Sequence, residues 1–342
     1  MSIAGGPVSA WVWAAGLDFL AAALHVGIVL GGPAWYRFFG AGEAIQAAQT
    51  AMPTGPVTLS KAWIEMIHRY FAGTLGLLIV LLAARAWTHR KHPDQPLKLP
   101  LLLLGLVTLQ AAFGMWTVTL KLWPQVVTAH LLGGFATLSL LLLLTLRLSA
   151  RWPALPALSV RLRRLAALGL LLVIGQIALG GWVSSNYAAV ACVDLPTCHG
   201  QWWPAMDFAN GFHLTQHIGP NYLGGQLDSD ARTAIHMTHR LGAVLVTLVL
   251  LLLAWQLKRH GQARLAALLL LALAGQISLG ISNVLLQLPL AVAVAHNLGG
   301  AVLLLTLVSI NYRLRRPSVM AVAATPERSS QDPTRSAQLP YA

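Results

Sequence analysis

Four histidines stand inside apolar stretches of this chain: His68, His130, His239 and His296. Two are followed directly by an arginine, Arg69 and Arg240. The other two head matching runs, His-Leu-Leu-Gly-Gly and His-Asn-Leu-Gly-Gly, so that Gly133, Gly134, Gly299 and Gly300 fall three and four residues later. Gly242 follows His239 by three. Ionisable groups inside membrane helices are costly and functional by default. Two imidazoles on facing helices are the axial pair of a membrane haem protein. Small residues one turn beyond each ligand read as room for a flat macrocycle, and Arg69 and Arg240 as partners for its propionates. Zinc fits less well, because two histidines with no cysteine beside them fall short of a closed four-ligand site. One acid stands out. Glu65 precedes His68 by three residues, so the two project from one helix face, and a carboxylate beside a haem can take a proton. The corresponding place in the second set holds His236. That asymmetry predicts chemistry at His68 and His130, and a permanent redox haem at His239 and His296.

These residues need helices in a bilayer to hold them. The chain has 342 residues, 56% hydrophobic and only 10% charged, far below the roughly 25% charged of soluble domains. The net charge of +13 does not signal nucleic-acid binding, because the basic residues sit in short clusters between apolar runs. Eight runs are long enough to span, near 10–31, 63–86, 98–118, 125–147, 164–185, 233–256, 264–285 and 289–312. Basic clusters at Arg85–Lys98, Arg147–Arg164, Lys258–Arg264 and Arg313–Arg316 alternate with loops poor in Lys and Arg. The positive-inside rule then predicts a multi-pass protein of the inner (plasma) membrane with both termini cytoplasmic. No small-residue cleavage site with a basic flank precedes the first span, so a cleaved signal peptide is not expected. Each histidine lies six or seven residues into a span entered from outside, roughly 10 Å along its helix, which puts all four at one outer level.

The sequence also repeats. Gln110-x3-Gly114 precedes His130 by 20 residues, and Gln276-x3-Gly280 precedes His296 by 20. Glu65-Met-Ile-His68-Arg69 echoes His236-Met-Thr-His239-Arg240. The predicted fold is therefore all-α, with eight transmembrane helices as two duplicated four-helix bundles. It divides into an N-terminal half over 1–152 with the haem on which chemistry is done, a C-terminal half over 153–316 with the permanent redox haem, and a disordered cytoplasmic tail over 317–342.

Several of these segments carry a family resemblance. Ala62-Trp-Ile-Glu-Met-Ile-His-Arg-Tyr, Gln176-Ile-Ala-Leu-Gly-Gly-Trp-Val-Ser-Ser-Asn, Cys192-Val-Asp-Leu-Pro-Thr-Cys-His-Gly-Gln-Trp-Trp-Pro, Ile235-His-Met-Thr-His-Arg-Leu-Gly and Ala295-His-Asn-Leu-Gly-Gly resemble haem A synthase, the bacterial and mitochondrial cytochrome oxidase assembly enzyme, over about residues 60–312. The resemblance implies oxidation of the C8 methyl of haem O to a formyl group, with water supplying the oxygen. It implies His239 and His296 as ligands of haem b, His68 and His130 at the substrate haem, and Glu65 as the catalytic carboxylate. Its partners would be a haem O synthase that delivers substrate, an electron acceptor and the lipid bilayer; self-association is left open. Many bacterial members carry a cysteine pair in the first external loop, whereas residues 32–62 here contain none. Asp18 and His25 in the first span also depart from the family pattern and read as packing residues.

The chain's two cysteines, Cys192 and Cys198, lie in the long outer loop and are expected to form a disulfide in that oxidising compartment. Cys-x5-Cys-His lacks the spacing of covalent c-type haem attachment. Trp202, Trp203 and Pro204 suit a lid in the membrane interface, and His199, His213 and His217 read as hydrogen-bonded loop residues. Two rival functions use the same histidines. One is a dihaem cytochrome b passing electrons from quinol; the other is a non-catalytic haem carrier or assembly factor. The first gives Glu65 no specific task; the second makes the histidines a transient docking site.

Overall fold

A computed structural model describes residues 59–93, 95–149 and 159–315. The predicted first span, with Asp18 and His25, and the C-terminal tail fall outside these residues. Among the described residues the chain is helical, with seven helices long and apolar enough to cross a membrane and no β-strand. They are α1 (Leu59–Thr88), α2 (Lys98–Thr119), α3 (Pro124–Leu148), α4 (Val160–Ser185), α5 (Ser229–Arg259), α6 (Ala263–Leu285) and α7 (Leu290–Arg315). The shortest, α2 with 22 residues, is about 33 Å long, enough for a hydrocarbon core of about 30 Å.

Local chemistry sets the ends. Pro124 sits at the start of α3, where its missing N–H costs nothing. Ser159 accepts from Leu162 N to cap α4, and Asp228 accepts from Ala231 N at 2.8 Å to cap α5. Arg85, Arg147, Lys258, Arg259, Arg313 and Arg315 lie in the last turns of α1, α3, α5 and α7, where cations favour the helix dipole.

Helices α4 to α7 close into a ring in which each packs on its neighbours. Their shared core includes Val173, Leu250, Leu253, Leu269, Leu307 and Ile310. Helices α1, α2 and α3 form a row, cemented by Ile79, Leu82, Leu103, Leu141 and Leu144. Helix α3 also packs on α4 and α7 and so joins the two sets.

Two helix hairpins have the same backbone. After α2, Lys121 and Leu122 are left-handed, at φ 51° and 62°; after α6, Gln287 and Leu288 are left-handed, at φ 58° and 61°. The hydrogen bonds match too: Leu120 N to Trp116 O and Leu122 N to Thr117 O in one, Leu286 N to Ser282 O and Leu288 N to Asn283 O in the other. Non-glycine residues rarely hold this conformation, and here two in succession do so at both corners.

The long loop between α4 and α5 covers one end. Its disulfide joins Cys192 and Cys198, both buried, with Cα atoms 5.0 Å apart. The Asp194 carboxylate organises the enclosed turn, accepting from Thr197 Oγ1 (2.6 Å), His199 N (2.7 Å) and Gly200 N (3.0 Å). Those donors hold its carboxyl far below the usual range, at about 2. Further along, the loop reaches the α2–α3 corner. Trp123 Nε1 donates to Gln216 O, Gln125 Nε2 to Leu214 O, and Tyr222 N to Lys121 O. This seam is a second tie between the two helix sets.

Candidate functional site

The structure brings His68 of α1 and His130 of α3 together, with ring centroids 6.4 Å apart and planes at 81°. Two metal–nitrogen bonds of roughly 2 Å each, plus the distance from each nitrogen to its ring centre, need about this span. His239 of α5 and His296 of α7 likewise come within electrostatic reach of each other. Among the described residues, His, Cys, Asp and Glu nowhere gather in threes. The donor set at each place is two imidazoles, which suits an iron already held in a macrocycle rather than a closed zinc site.

A glutamine on the preceding helix accompanies three of the four histidines. Gln110 Nε2 donates to the His130 carbonyl at 2.9 Å, and His130 Nδ1–H donates to Gln110 Oε1 at 3.0 Å. That second bond keeps the proton on Nδ1 and leaves the lone pair on Nε2, the arrangement metal ligation requires. Gln176 Nε2 donates to the His239 carbonyl at 2.8 Å and lies 3.1 Å from His239 Nδ1. Gln276 Nε2 lies 3.3 Å from His296 Nε2. His296 Nδ1 and Gln276 Oε1 are buried without a hydrogen-bond partner, so this site has polar capacity that the protein itself does not use. On these grounds the residues fit a haem.

The glycines have a different task from the one their spacing suggests. A Cβ on Gly133 would overlap the Gln110 amide, and Cβ atoms on Gly242 and Gly299 would overlap the Gln176 and Gln276 amides. The glycine three residues after each of these histidines therefore makes room for the glutamine. A second set packs against the imidazoles themselves. Cβ atoms on Gly114, Gly180 and Gly280 would stand 3.3, 3.3 and 3.1 Å from the Cε1 atoms of His130, His239 and His296. Gln176 and Gly180 are the members of this pattern that spacing alone does not reveal. The long α4–α5 loop separates Gln176 from His239 by 63 residues instead of 20. The Gln-x3-Gly pattern itself is the signal that finds them.

The two arginines have protein partners. Arg69 pairs with Glu65 one turn earlier on α1. Both are roughly half exposed, and Glu65 lies within electrostatic reach of His68. Arg240 instead donates to the carbonyls of Thr197 (2.9 Å) and Cys192 (3.1 Å), tying the disulfide loop to the helix that carries His239. The difference follows from Glu65 against His236: with no acid one turn back, Arg240 turns to the loop. His236 is itself buried. Of the loop histidines, His199 Nε2 lies 2.8 Å from Ala191 O and His213 Nε2 lies 2.8 Å from Thr215 Oγ1, while His217 contributes its carbonyl to Tyr222. Trp202 and Trp203 stand exposed on the loop surface.

Comparison with known proteins places the whole chain. Residues 29–308 match the COX15-CtaA family, described as cytochrome oxidase assembly protein. A heme A synthase of Shewanella oneidensis is 48% identical over 294 residues, covering 83% of this chain and 88% of that protein. A heme A synthase of Methylobacterium radiotolerans is 33% identical over 262 residues, 74% of this chain and 68% of the relative. One from Halalkalibacterium halodurans is 27% identical over 278 residues, 78% of this chain and 83% of the relative. With the family match spanning most of the chain and a relative 48% identical over 83% of it, this protein belongs to the heme A synthase family of cytochrome oxidase assembly proteins.

Proposed function

We propose that this protein is a membrane oxidoreductase that converts haem O to haem A by oxidising its C8 methyl to a formyl group. The oxygen comes from water, and electrons and protons leave in equal number. The observation that carries this reading is the asymmetry of the two sites. Both have two histidines with a glutamine from the preceding helix beside at least one of them, but only His68 has a carboxylate, Glu65, on its own helix face.

In this reading His68 and His130 hold the substrate haem, and His239 and His296 hold haem b, which supplies a one-electron relay when bound. Gln110 fixes the tautomer and plane of His130, so the substrate is seated in one orientation. The Glu65 carboxylate accepts a proton during oxidation. Arg69 holds that carboxylate in place beside His68. Arg240 holds the disulfide loop over the haem b side. A separate electron acceptor must take the electrons onward, and a haem O synthase supplies substrate.

Two duplicated four-helix bundles are supported by the matched corners and by the glutamine beside His130, His239 and His296, with the run at 10–31 as an eighth span that completes the N-terminal half. The clustering of basic residues at one set of helix ends supports cytoplasmic termini and an inner-membrane location. The dihaem electron-transfer reading is not favoured, because it leaves Glu65 idle.

Pigment extraction from cells that make haem O tests the function. Glu65→Gln is expected to retain haem b and yield no haem A. Normal haem A production by that variant would remove Glu65 from the chemistry. His239→Ala and His296→Ala are expected to lose haem b, and unchanged haem b content would overturn the assignment of the halves.

A further inference from the structure

A cleft of about 860 Å³ opens where α3, α4 and α7 meet, and none of the four histidines lines it. On α3 its wall runs from Leu132 to Arg147, a length of about 22 Å, more than the roughly 15 Å of one hydrocarbon leaflet. The walls are apolar for most of this length, with Phe135, Leu143, Ile174, Leu304 and Val308 among them. One end is different. Arg147 and Arg315 line it together, each exposed and each in the last turn of its helix. No acid lines the cleft, and neither arginine has a salt-bridge partner among the described residues.

That end is also rigid. Tyr312 Oη donates to Leu146 O at 2.9 Å, bridging α7 to α3. Asn311 Nδ2 donates to Ala166 O at 2.9 Å, bridging α7 to α4. Asn311 lines the cleft, is 6% exposed, and its Oδ1 has no hydrogen-bond partner. A buried acceptor of this kind is costly unless a donor reaches it. The cleft thus combines a long apolar slot, two cations at one mouth, and an unsatisfied acceptor beside them.

We propose that this cleft binds one anionic glycerophospholipid, with an acyl chain between α3, α4 and α7, the phosphate on Arg147 and Arg315, and a headgroup hydroxyl on Asn311 Oδ1. Charge complementarity selects this occupant over a neutral lipid, and the slot's length selects it over a small anion. The lipid fills the seam through which α3 joins the α4–α7 ring.

Native mass spectrometry of the full chain, with equal amounts of dioleoyl phosphatidylglycerol and dioleoyl phosphatidylcholine added in detergent, tests the proposal. The wild type is expected to retain one phosphatidylglycerol in preference to phosphatidylcholine. The double variant Arg147→Gln, Arg315→Gln is expected to bind phosphatidylglycerol about 30-fold more weakly, at about one basic-residue contribution each. The corresponding double Lys variant should keep the preference. Ala136→Trp, which fills the slot, should lose both lipids. Absorption of bound haem, expected to be unchanged in every variant, reports that the fold is intact. Equal retention of the two lipids by the wild type, undiminished retention by the Gln or Trp variant, or a cleft cross-linked to another segment of the chain or to a second copy in place of lipid would each overturn it.

Discussion

A double-mutant cycle at Gly133 and Gln110 separates two possible uses of the glycine, room for a macrocycle and room for an amide. A Cβ on Gly133 would lie inside the Gln110 amide, so Gly133→Ala must push that side chain away. The displaced amide gives up two hydrogen bonds, to the His130 carbonyl and ring, at 2.9 and 3.0 Å. At about 1 kcal/mol per bond the expected loss is about 2 kcal/mol, within the range for inserting a methyl into a packed interface. Gln110→Ala removes the same bonds and should cost about the same. In the Gln110→Ala background the steric conflict is gone. Gly133→Ala should then be neutral, or stabilising by up to about 1 kcal/mol, because alanine is the better helix former. The coupling between the two sites is therefore about 2 kcal/mol. It can be read from thermal unfolding of the four proteins in detergent and from haem titration at the His68–His130 site. If Gly133→Ala were equally harmful with and without Gln110, the glycine would be making room for the macrocycle and not for the amide, and the lock would be refuted.

Other outcomes follow from the same geometry. Gln176→Ala should weaken haem retention at the His239–His296 site by roughly 10- to 100-fold, the usual cost of losing a group that orients a metal ligand, as measured by competition with a haem-binding apoprotein. Glu65→Gln should change thermal stability by less than about 1 kcal/mol, because its pair with Arg69 is solvent-accessible; a large loss of stability would make Glu65 a structural residue. Arg240→Met should loosen the disulfide loop by removing its two donations to Cys192 and Thr197, giving faster reduction of Cys192–Cys198 by dithiothreitol; an unchanged rate would show that the tie is idle. The Asp194 turn should be pH-dependent in one direction. Its carboxyl is lowered from 3.8 to about 2, so its stabilisation is complete above about pH 4 and disappears as pH falls toward about 2. Amide exchange at His199 and Gly200 should accelerate over that window, and Asp194→Asn should abolish the dependence.

The candidate site residues were legible because each defies its surroundings. An imidazole or carboxylate in an apolar run costs free energy that a packing role does not return, so Glu65 and the four histidines stand out without any fold. The helices were legible for a similar reason: runs of about 20 apolar residues have few alternatives in lipid. Seven of the eight predicted spans coincide with helices, and the run at 10–31 falls outside the described residues. Spacing misled at the glycines. Gly133, three residues after His130, reads the same along the chain whether a haem or a side chain fills the room beside it.

What the sequence determined by itself was the inventory and its order: apolar spans, basic clusters at alternate ends, Glu65 three residues before one of four spaced histidines, and a single cysteine pair. These are local properties, fixed by the transfer cost of each side chain. What only the tertiary structure decided was who meets whom. Gln176 lies 63 residues from His239 along the chain yet donates to its carbonyl. Arg240 faces the disulfide loop while Arg69 faces Glu65. The matched corners at Lys121-Leu122 and Gln287-Leu288 share a backbone and only one residue type. The lipid-sized cleft exists only because α3 leans on α4 and α7, with Arg147 and Arg315 at one mouth. Side-chain partners depend on helix rotation and on loop paths, and in a chain this uniformly apolar the hydrophobic pattern does not specify either.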